Sequence, residues 1–159
     1  MSRPRRVTVS ARVAAALAAG VTLVAAAAPA GEVLPGPVPA RVLEVIDGDT
    51  VLVRAHIWLG QEVSIRVRLA GVDAPELRSA CAEEREAARA ARSFLAARLA
   101  HGQAQLSDIH YGKFAGRVVA RLHDADGADL SAVLVEAGLA RAYAGGARTP
   151  WCPRQRARR

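Results

Sequence analysis

The chain has 159 residues, a formal net charge of +7 and two cysteines. This length suffices for one domain with a hydrophobic core and is short for two. The excess positive charge lies in the terminal segments, because residues 31–152 carry 14 basic and 15 acidic side chains, which excludes a polycationic fold.

The N-terminal residues 1–30 have the pattern of a secretory signal peptide. Three arginines among the first six residues precede an uncharged Ala/Val/Leu stretch over 13–28, and Ala28-Pro29-Ala30 is an A-x-A cleavage signal. An uncleaved membrane anchor is the alternative, although the stretch is short for a span and rich in alanine. The Arg5-Arg6 pair is compatible with twin-arginine export. We therefore expect a secreted or periplasmic protein without stable membrane insertion after cleavage.

The last residues form a basic tail, whose arginines are Arg154, Arg156, Arg158 and Arg159. Such a tail can bind nucleic acid or an anionic surface. A solvated, disordered terminus is the competing interpretation.

The first predicted elements are a linker and a β-hairpin. Three prolines lie between residues 31 and 39, so we expect a linker there and structure beginning at Ala40. Strands are predicted over 41–46 and 50–55, joined by a turn at Asp47-Gly48. Residues 56–60 are predicted to form a loop that carries Trp58.

The stretch 63–76 combines a strand with a sharp turn. Apolar and polar side chains alternate over 63–70, which is typical of a half-buried strand. A glycine and a proline follow, so Asp73 and Glu76 should be held on a turn, close to Arg68. An arginine beside two fixed carboxylates suits phosphate chemistry with a hard metal ion.

The second half is predicted as helix, two strands and helix. The first helix covers 80–100, with Ser79 as its N-cap. Strands follow over 103–107 and 116–122, and a turn leads into a short helix whose apolar stripe is Leu130, Val133, Leu134 and Ala137. Five short strands with a helix after the third predict a mainly β protein with helices, folded as an OB-fold barrel.

Three carboxylates should converge at one end of this barrel. Asp47 is interpreted as a turn residue, whereas Asp49 opens a strand that should lie beside the strand of Arg68. Asp49, Asp73 and Glu76 would repel one another unless a cation lay among them. Hard oxygen ligands on turns favour calcium, with water completing the coordination. The alternative is three unrelated surface acids.

In these motifs the chain resembles the staphylococcal nuclease family. The resemblance rests on Val45-Ile46-Asp47-Gly48-Asp49-Thr50 and Arg68-Leu69-Ala70-Gly71-Val72-Asp73-Ala74-Pro75-Glu76, followed by Gly116-Arg117 and Ala137-Gly138-Leu139-Ala140. It covers about residues 40–145. It implies an OB-fold domain that hydrolyses DNA and RNA with calcium, breaking the bond to the 5′ oxygen and leaving 3′-phosphate ends.

The resemblance also implies a role for each matched residue. Asp49 and Asp73 would be calcium ligands, together with the backbone carbonyl of Ala74, where the family often has threonine. Glu76 would be the general base or would orient the attacking water.

Two arginines complete the implied set. Arg68 and Arg117 would stabilise the charge that develops on the phosphoryl oxygens.

The chain departs from the family around its substrate contacts. Ala115 stands where the family has a tyrosine that contacts a terminal phosphate, and Tyr111 or Lys113 could compensate, although a solvated loop is the alternative. Tyr143 stands alone where the type member has a tyrosine pair that frames the nucleotide pocket. It could stack on a base or simply pack. We expect Lys113 and Tyr143 to bind substrate, and both tryptophans, Trp58 and Trp151, to pack.

The two cysteines, Cys81 and Cys152, favour a disulfide in an oxidising compartment, with two free buried thiols as the alternative. The type member of the family has a long C-terminal helix that this chain lacks. We expect Cys152 to tie residues 145–152 to Cys81 in its place, a closure worth about 4 kcal/mol in the loop-entropy model.

A calcium-dependent nuclease is the first hypothesis, acting as a monomer on DNA and RNA. A non-catalytic nucleic-acid-binding module on the same barrel is the second, and it would be expected to lack one of the matched residues. An interaction domain that binds through its basic tail is the third.

Overall fold

A computed structural model describes residues 31–113 and 115–152. The predicted signal peptide, Phe114 and the basic tail lie outside the described residues. The elements in chain order are β1 (Val33–Leu34), β2 (Val38–Val45), β3 (Thr50–Trp58), β4 (Gln61–Leu69), β5 (Val72–Asp73), α1 (Ala82–Arg98), β6 (Gln103–Tyr111), β7 (Arg117–His123), α2 (Leu130–Glu136) and β8 (Arg141–Ala142).

Five long strands close into a barrel. Hydrogen bonds connect them in the order β6, β2, β3, β4 and β7, and a further pairing of β7 with β6 completes the circle. The β4–β7 pair is parallel and the others are antiparallel. A parallel pair needs a long crossover, which α1 and β6 supply. The predicted five-stranded OB-fold with a helix after its third long strand is confirmed.

The core fills the barrel and continues under the two helices. Alternate residues of the strands point inward, so that Val51, Val53, Val67 and Leu69 are essentially inaccessible to solvent. Leu95 of α1 and Leu134 of α2 close the same cluster, whose buried strand members from the second half are Ala104, Leu106, Val118, Ala120 and Leu122. The alternating pattern of the sequence is therefore what defines the inside of the barrel.

Several predicted strand boundaries are wrong, because the strands extend further than their local sequence patterns predict. The strand β6 runs to Tyr111 and not to residue 107, and its extension pairs with β1 through Val33↔His110 and Leu34↔Ile109. Ordered structure therefore begins at Val33 and not at Ala40.

The predicted loop over 56–60 is also wrong, since β3 continues to Trp58 and turns at Leu59 and Gly60. Isoleucine and tryptophan favour a pleated strand, and Gly60 takes the positive φ of the turn. Trp58 does not pack, because it is 72% exposed at the tip of this hairpin.

The N-cap of α1 is Cys81 and not Ser79. The Ser79 hydroxyl instead accepts from the backbone N–H of Cys81 at 3.3 Å and donates to Glu84 Oε2 at 2.5 Å. The helix consequently begins at Ala82.

A buried carboxylate ties α1 to the end of β7. Asp124 accepts from the backbone N–H groups of Asp126 and Ala128 and forms an ion pair with Arg98 of α1. Burial alone would raise the pKa of Asp124, but these donors outweigh it and hold the pKa below its usual value. In the described ranges no helix has the length and apolar character needed to cross a membrane.

Candidate active site

Two turns meet at one end of the barrel, one between β2 and β3 and the other after β4. Thr50 is the register partner of Arg68, so the residues that flank this pair become neighbours. The carbonyl of Asp49 accepts from Leu69 N at 2.8 Å, and the Asp49 carboxylate accepts from Ala74 N at 3.2 Å. The two motifs that are separate in sequence are therefore joined by direct hydrogen bonds.

Gly48 allows the first turn to lie against α1. A Cβ at this position would be 2.8 Å from Ala91 Cβ, closer than real Cβ atoms approach, and 3.0 Å from Ala74 Cβ, which is also a tight contact. Asp47 Oδ1 accepts from Asp49 N at 3.0 Å, which is the turn role expected for Asp47. The turn thus places Asp49, and, besides burial, the nearby charge of Asp47 contributes to the raised pKa of the Asp49 carboxylate.

The Asp49 carboxylate is buried and hydrogen-bonded on both oxygens. It is 4% exposed, and Oδ1 accepts from Arg68 Nη1 at 2.6 Å and from Thr50 Oγ1 at 3.0 Å. Burial raises the pKa of Asp49 to about 6, although the positive charge of Arg68 opposes this shift. Ionised Asp49 is therefore costly unless more positive charge lies beside it.

Asp73 is equally buried, at 4% exposed, and faces the same guanidinium. Arg68 Nη2 lies 4.0 Å from Asp73 Oδ1 and donates to the carbonyl of Val72 at 3.1 Å. Asp73 Oδ2 accepts from the indole N–H of Trp151 at 3.2 Å. Arg148 Nε lies 3.0 Å from Oδ1 as a charge contact, but Oδ1 receives no hydrogen bond from the residues that the structure describes.

This donor set fits a hard divalent cation. Two buried carboxylates share one buried guanidinium, so Asp49, Asp73 and Arg68 together carry a net negative charge when both acids are ionised. A cation would add a ligand contact to Asp73 Oδ1, which otherwise has only the charge contact with Arg148, and would offset the burial that raises the pKa of Asp49. Carboxylate and carbonyl oxygens are the ligands that calcium and magnesium prefer. Ala74, the third expected ligand, donates its N–H to Asp49, so its backbone nitrogen lies beside this pair.

Glu76 stands at the solvent-facing rim of the cluster. Its side chain is 55% exposed, and Oε1 accepts from Arg148 Nη1 at 2.7 Å. Its backbone N–H donates to Glu84 Oε1 at 3.1 Å, and its carbonyl accepts from Ser79 N at 3.2 Å. The backbone of Glu76 is thus fixed by α1 and by the segment that precedes it, while the carboxylate reaches towards solvent.

Arg117 begins β7, which is the strand beside β4. Arg66 is its parallel register partner, and alternate residues of a strand share a face, so Arg117 projects from the same face of the sheet as Arg66 and Arg68. The two arginines expected from the sequence therefore lie on adjacent strands and on one face.

The two expected substrate-binding residues differ in their surroundings. Lys113 is exposed in the loop before Arg117, and among the described residues it has no ion-pair partner. Tyr143 is half-buried, and its hydroxyl donates to the carbonyl of Gly146 at 2.7 Å. The Tyr143 hydroxyl is therefore engaged by the chain itself.

Sequence reasoning missed two residues at the site, Arg148 and Trp151. Both precede Cys152, which forms a disulfide with Cys81 at the start of α1, a few residues after Glu76. The disulfide was the feature of the sequence that could have indicated these two residues, because residues next to Cys152 must lie near Glu76. The hydrogen bond to Glu76 raises the pKa of the Arg148 guanidinium above its usual value.

A second group of possible ligands carries no metal site. Cys81, Glu84 and Cys152 place ligand atoms within 4.8 Å of one another. Both sulfur atoms belong to the disulfide, so neither can be the thiolate that a metal ion needs.

In a comparison with family models, residues 66–155 match the staphylococcal nuclease homologue family. The match includes Arg68, Asp73, Glu76 and Arg117 and begins after Asp49. No curated protein matches the chain.

Proposed function

Because the chain belongs to the staphylococcal nuclease family, whose members are generally nucleases, we propose that it is a calcium-dependent phosphodiesterase acting on DNA and RNA. The observation that carries the proposal is the cluster in which Arg68 joins two buried carboxylates while Glu76 stands at the exposed rim. This arrangement combines a cation-binding pair, a candidate base and a phosphate-binding side chain.

Electrostatics explains why such a site needs added positive charge. A phosphodiester anion held about 4 Å from one uncompensated carboxylate would be repelled by about 4 kcal/mol near a protein surface. Three acids, Asp49, Asp73 and Glu76, face the two guanidiniums of Arg68 and Arg148, so one carboxylate charge is in excess when all three acids are ionised. A divalent cation at this cluster would remove that repulsion and favour the binding of a nucleic acid there.

Asp49, Asp73 and the carbonyl of Ala74 are the residues that would hold calcium. When bound, calcium supplies a concentrated positive charge beside the scissile phosphate and lowers the pKa of a coordinated water. Asp73 Oδ1, which accepts no hydrogen bond from the described residues, and the raised pKa of Asp49 support this assignment.

Glu76 would accept the proton of the attacking water. The water oxygen forms the new bond to phosphorus, the bond to the 5′ oxygen breaks, and the leaving oxygen takes up a proton. A positioned base of this kind contributes about 10²–10⁴-fold to the rate. The Glu76 carboxylate is exposed at the rim of the cluster, so a water molecule bound there could reach it.

The arginines would stabilise the phosphoryl oxygens as charge develops there. The guanidinium of Arg68 has five N–H donors and uses two of them on Asp49 and Val72, so others remain for a phosphate. Arg117 would approach from the neighbouring strand on the same face. Lys113 and Tyr143 remain candidates for binding the rest of the nucleotide.

Export to an oxidising compartment, secreted or periplasmic, is part of the same proposal. The Cys81–Cys152 disulfide supports it, since disulfides persist in such compartments and are rare in the cytosol of mesophiles.

The test is digestion of single-stranded and double-stranded DNA and of RNA, with calcium or with EGTA. The proposal predicts cleavage by the wild type with calcium, 3′-phosphate ends, and no cleavage with EGTA. Glu76→Gln should lose activity, whereas Glu86→Gln, which removes one exposed carboxylate from α1, should not. Nucleic-acid binding without any calcium-dependent cleavage would instead identify a non-catalytic OB-fold module.

A further inference from the structure

Residues 145–152, here termed the C-terminal strap, form one wall of the candidate site. Cys152 is bonded to Cys81, and Trp151 donates from Nε1 to Asp73 Oδ2 at 3.2 Å. The strap encloses a cleft of about 190 Å³ with Asp73 and Glu76. A segment that resembles a simple loop in sequence is therefore in direct contact with two residues of the carboxylate cluster.

The strap is held to the barrel by Arg141 of β8. The Arg141 guanidinium lies 3.8 Å above the ring of Trp151, a cation–π geometry. Its Nη1 also donates to the carbonyls of Thr149 and Pro150, at 3.2 and 3.3 Å. Since β8 pairs with β5 so that Arg141 lies opposite Asp73, these contacts connect the strap to the strand that carries a cluster carboxylate.

Arg148 is the strap residue that reaches the carboxylates. Its Nη1 donates to Glu76 Oε1 at 2.7 Å, and its Nε lies 3.0 Å from Asp73 Oδ1. The contacts with Glu84 and Ser79 hold the backbone of Glu76 and leave its carboxylate free to rotate. A side chain that is 55% exposed keeps one orientation only when a partner holds it, and a charge-assisted hydrogen bond is such a partner.

We propose that Arg148 is a positioning residue of the nuclease reaction, which orients the Glu76 carboxylate towards the attacking water. The strap, its disulfide and Trp151 serve to deliver this guanidinium to the rim of the site. The inference rests on the proposed function, because it assigns the orientation of the base in that reaction. Misplacing a reacting group by about 1 Å costs up to about 10²-fold in rate.

Two other roles for Arg148 give different kinetics. If Arg148 held a substrate phosphate, its loss would raise KM and leave kcat nearly unchanged. If it acted only through its charge on a polyanionic substrate, removal of any surface arginine would have the same effect. Arg89 is the matched control for charge, because it is an exposed arginine of α1 in an ion pair with Glu86.

The experiment measures kcat and KM with a short single-stranded oligonucleotide at saturating calcium. All variants carry Trp58→Phe, so that Trp151 is the remaining tryptophan of the chain and its fluorescence and acrylamide quenching report whether the strap is docked. Arg148→Ala and Arg148→Gln should lower kcat about 10- to 100-fold with KM within about threefold. Arg148→Lys should recover part of kcat, and Arg89→Ala should match the parent.

Unchanged quenching in Arg148→Gln shows that the strap remains docked, so that the loss of kcat belongs to the guanidinium. The proposal is overturned if the Arg148 variants retain the parent kcat while Glu76→Gln does not, or if the loss lies in KM alone. An inactive parent protein would refute the nuclease activity itself, and the positioning role with it. If instead the parent is active and the Arg148 variants are equally fast, only the positioning role is refuted.

Discussion

Replacing Gly48 by alanine tests whether the first turn must lie in contact with α1 to place Asp49. The added Cβ would be 2.8 Å from Ala91 Cβ and 3.0 Å from Ala74 Cβ, and both neighbours are buried methyl groups. Neither neighbour is the end of a flexible side chain, so the turn, the helix or the Asp73 turn must shift. Overpacking of this kind costs about 1–3 kcal/mol.

The assay is thermal and urea denaturation of Gly48→Ala beside Gly112→Ala. In a domain of this size a loss of 1–3 kcal/mol lowers Tm by about 4–12 °C. Gly112 is the matched control, because its added Cβ would meet its nearest neighbour, Val119 Cγ2, at 3.4 Å, which is ordinary contact. Equal stability of the two variants would refute the reasoning, since it would mean that the turn does not depend on close approach to α1.

Three further predictions concern a buried acid, the two carboxylates expected to bind calcium, and the disulfide. Asp124→Asn should lower the free energy of unfolding by about 1–3 kcal/mol at pH 7. The folded pKa of Asp124 lies below its unfolded value, so this contribution to stability is complete above about pH 4 and is lost as the pH falls through the folded pKa. The difference from wild type in urea denaturation should therefore shrink in acid and not in base. Calcium at 100 times its Kd should raise the free energy of unfolding by about 2.7 kcal/mol in wild type and in Asp126→Asn but not in Asp73→Asn, as followed by calorimetry. Reduction of Cys81–Cys152 should lower kcat by no more than Arg148→Ala does, because the strap loses its covalent anchor but keeps the contacts of Arg141; an unchanged rate in reduced protein would contradict this.

The convergence of Asp49, Arg68 and Asp73 could be predicted from sequence because local signals determine it. A turn at Asp47-Gly48, alternation over 63–70 and a sharp turn after Gly71 place these residues at the ends of two adjacent strands. The pairing of Thr50 with Arg68 follows from the hairpin that joins β3 to β4, which needs no long-range information.

Features that depend on distant parts of the chain could not be predicted in this way. The length of β6 is set by its pairing with β1 and by a bulge at Asp108. Asp108 has a φ of 53°, which nothing in the local sequence pattern predicts. Trp151 and Arg148 lie in a segment without periodicity, more than 70 residues from the carboxylates they contact. In the sequence, only the cysteine pair linked that segment to the site. It predicted that the segment lies near Glu76, but not which of its side chains contact the carboxylates.

The single-turnover rate of oligonucleotide cleavage by wild type and by Glu76→Gln, each with calcium and with EGTA, tests the central claim most directly. With calcium, the wild type should cleave about 10²–10⁴-fold faster than Glu76→Gln, and EGTA should abolish cleavage by both. Equal rates for the two proteins, or cleavage that persists in EGTA, would contradict the assignment of a calcium-dependent nuclease with Glu76 as its base.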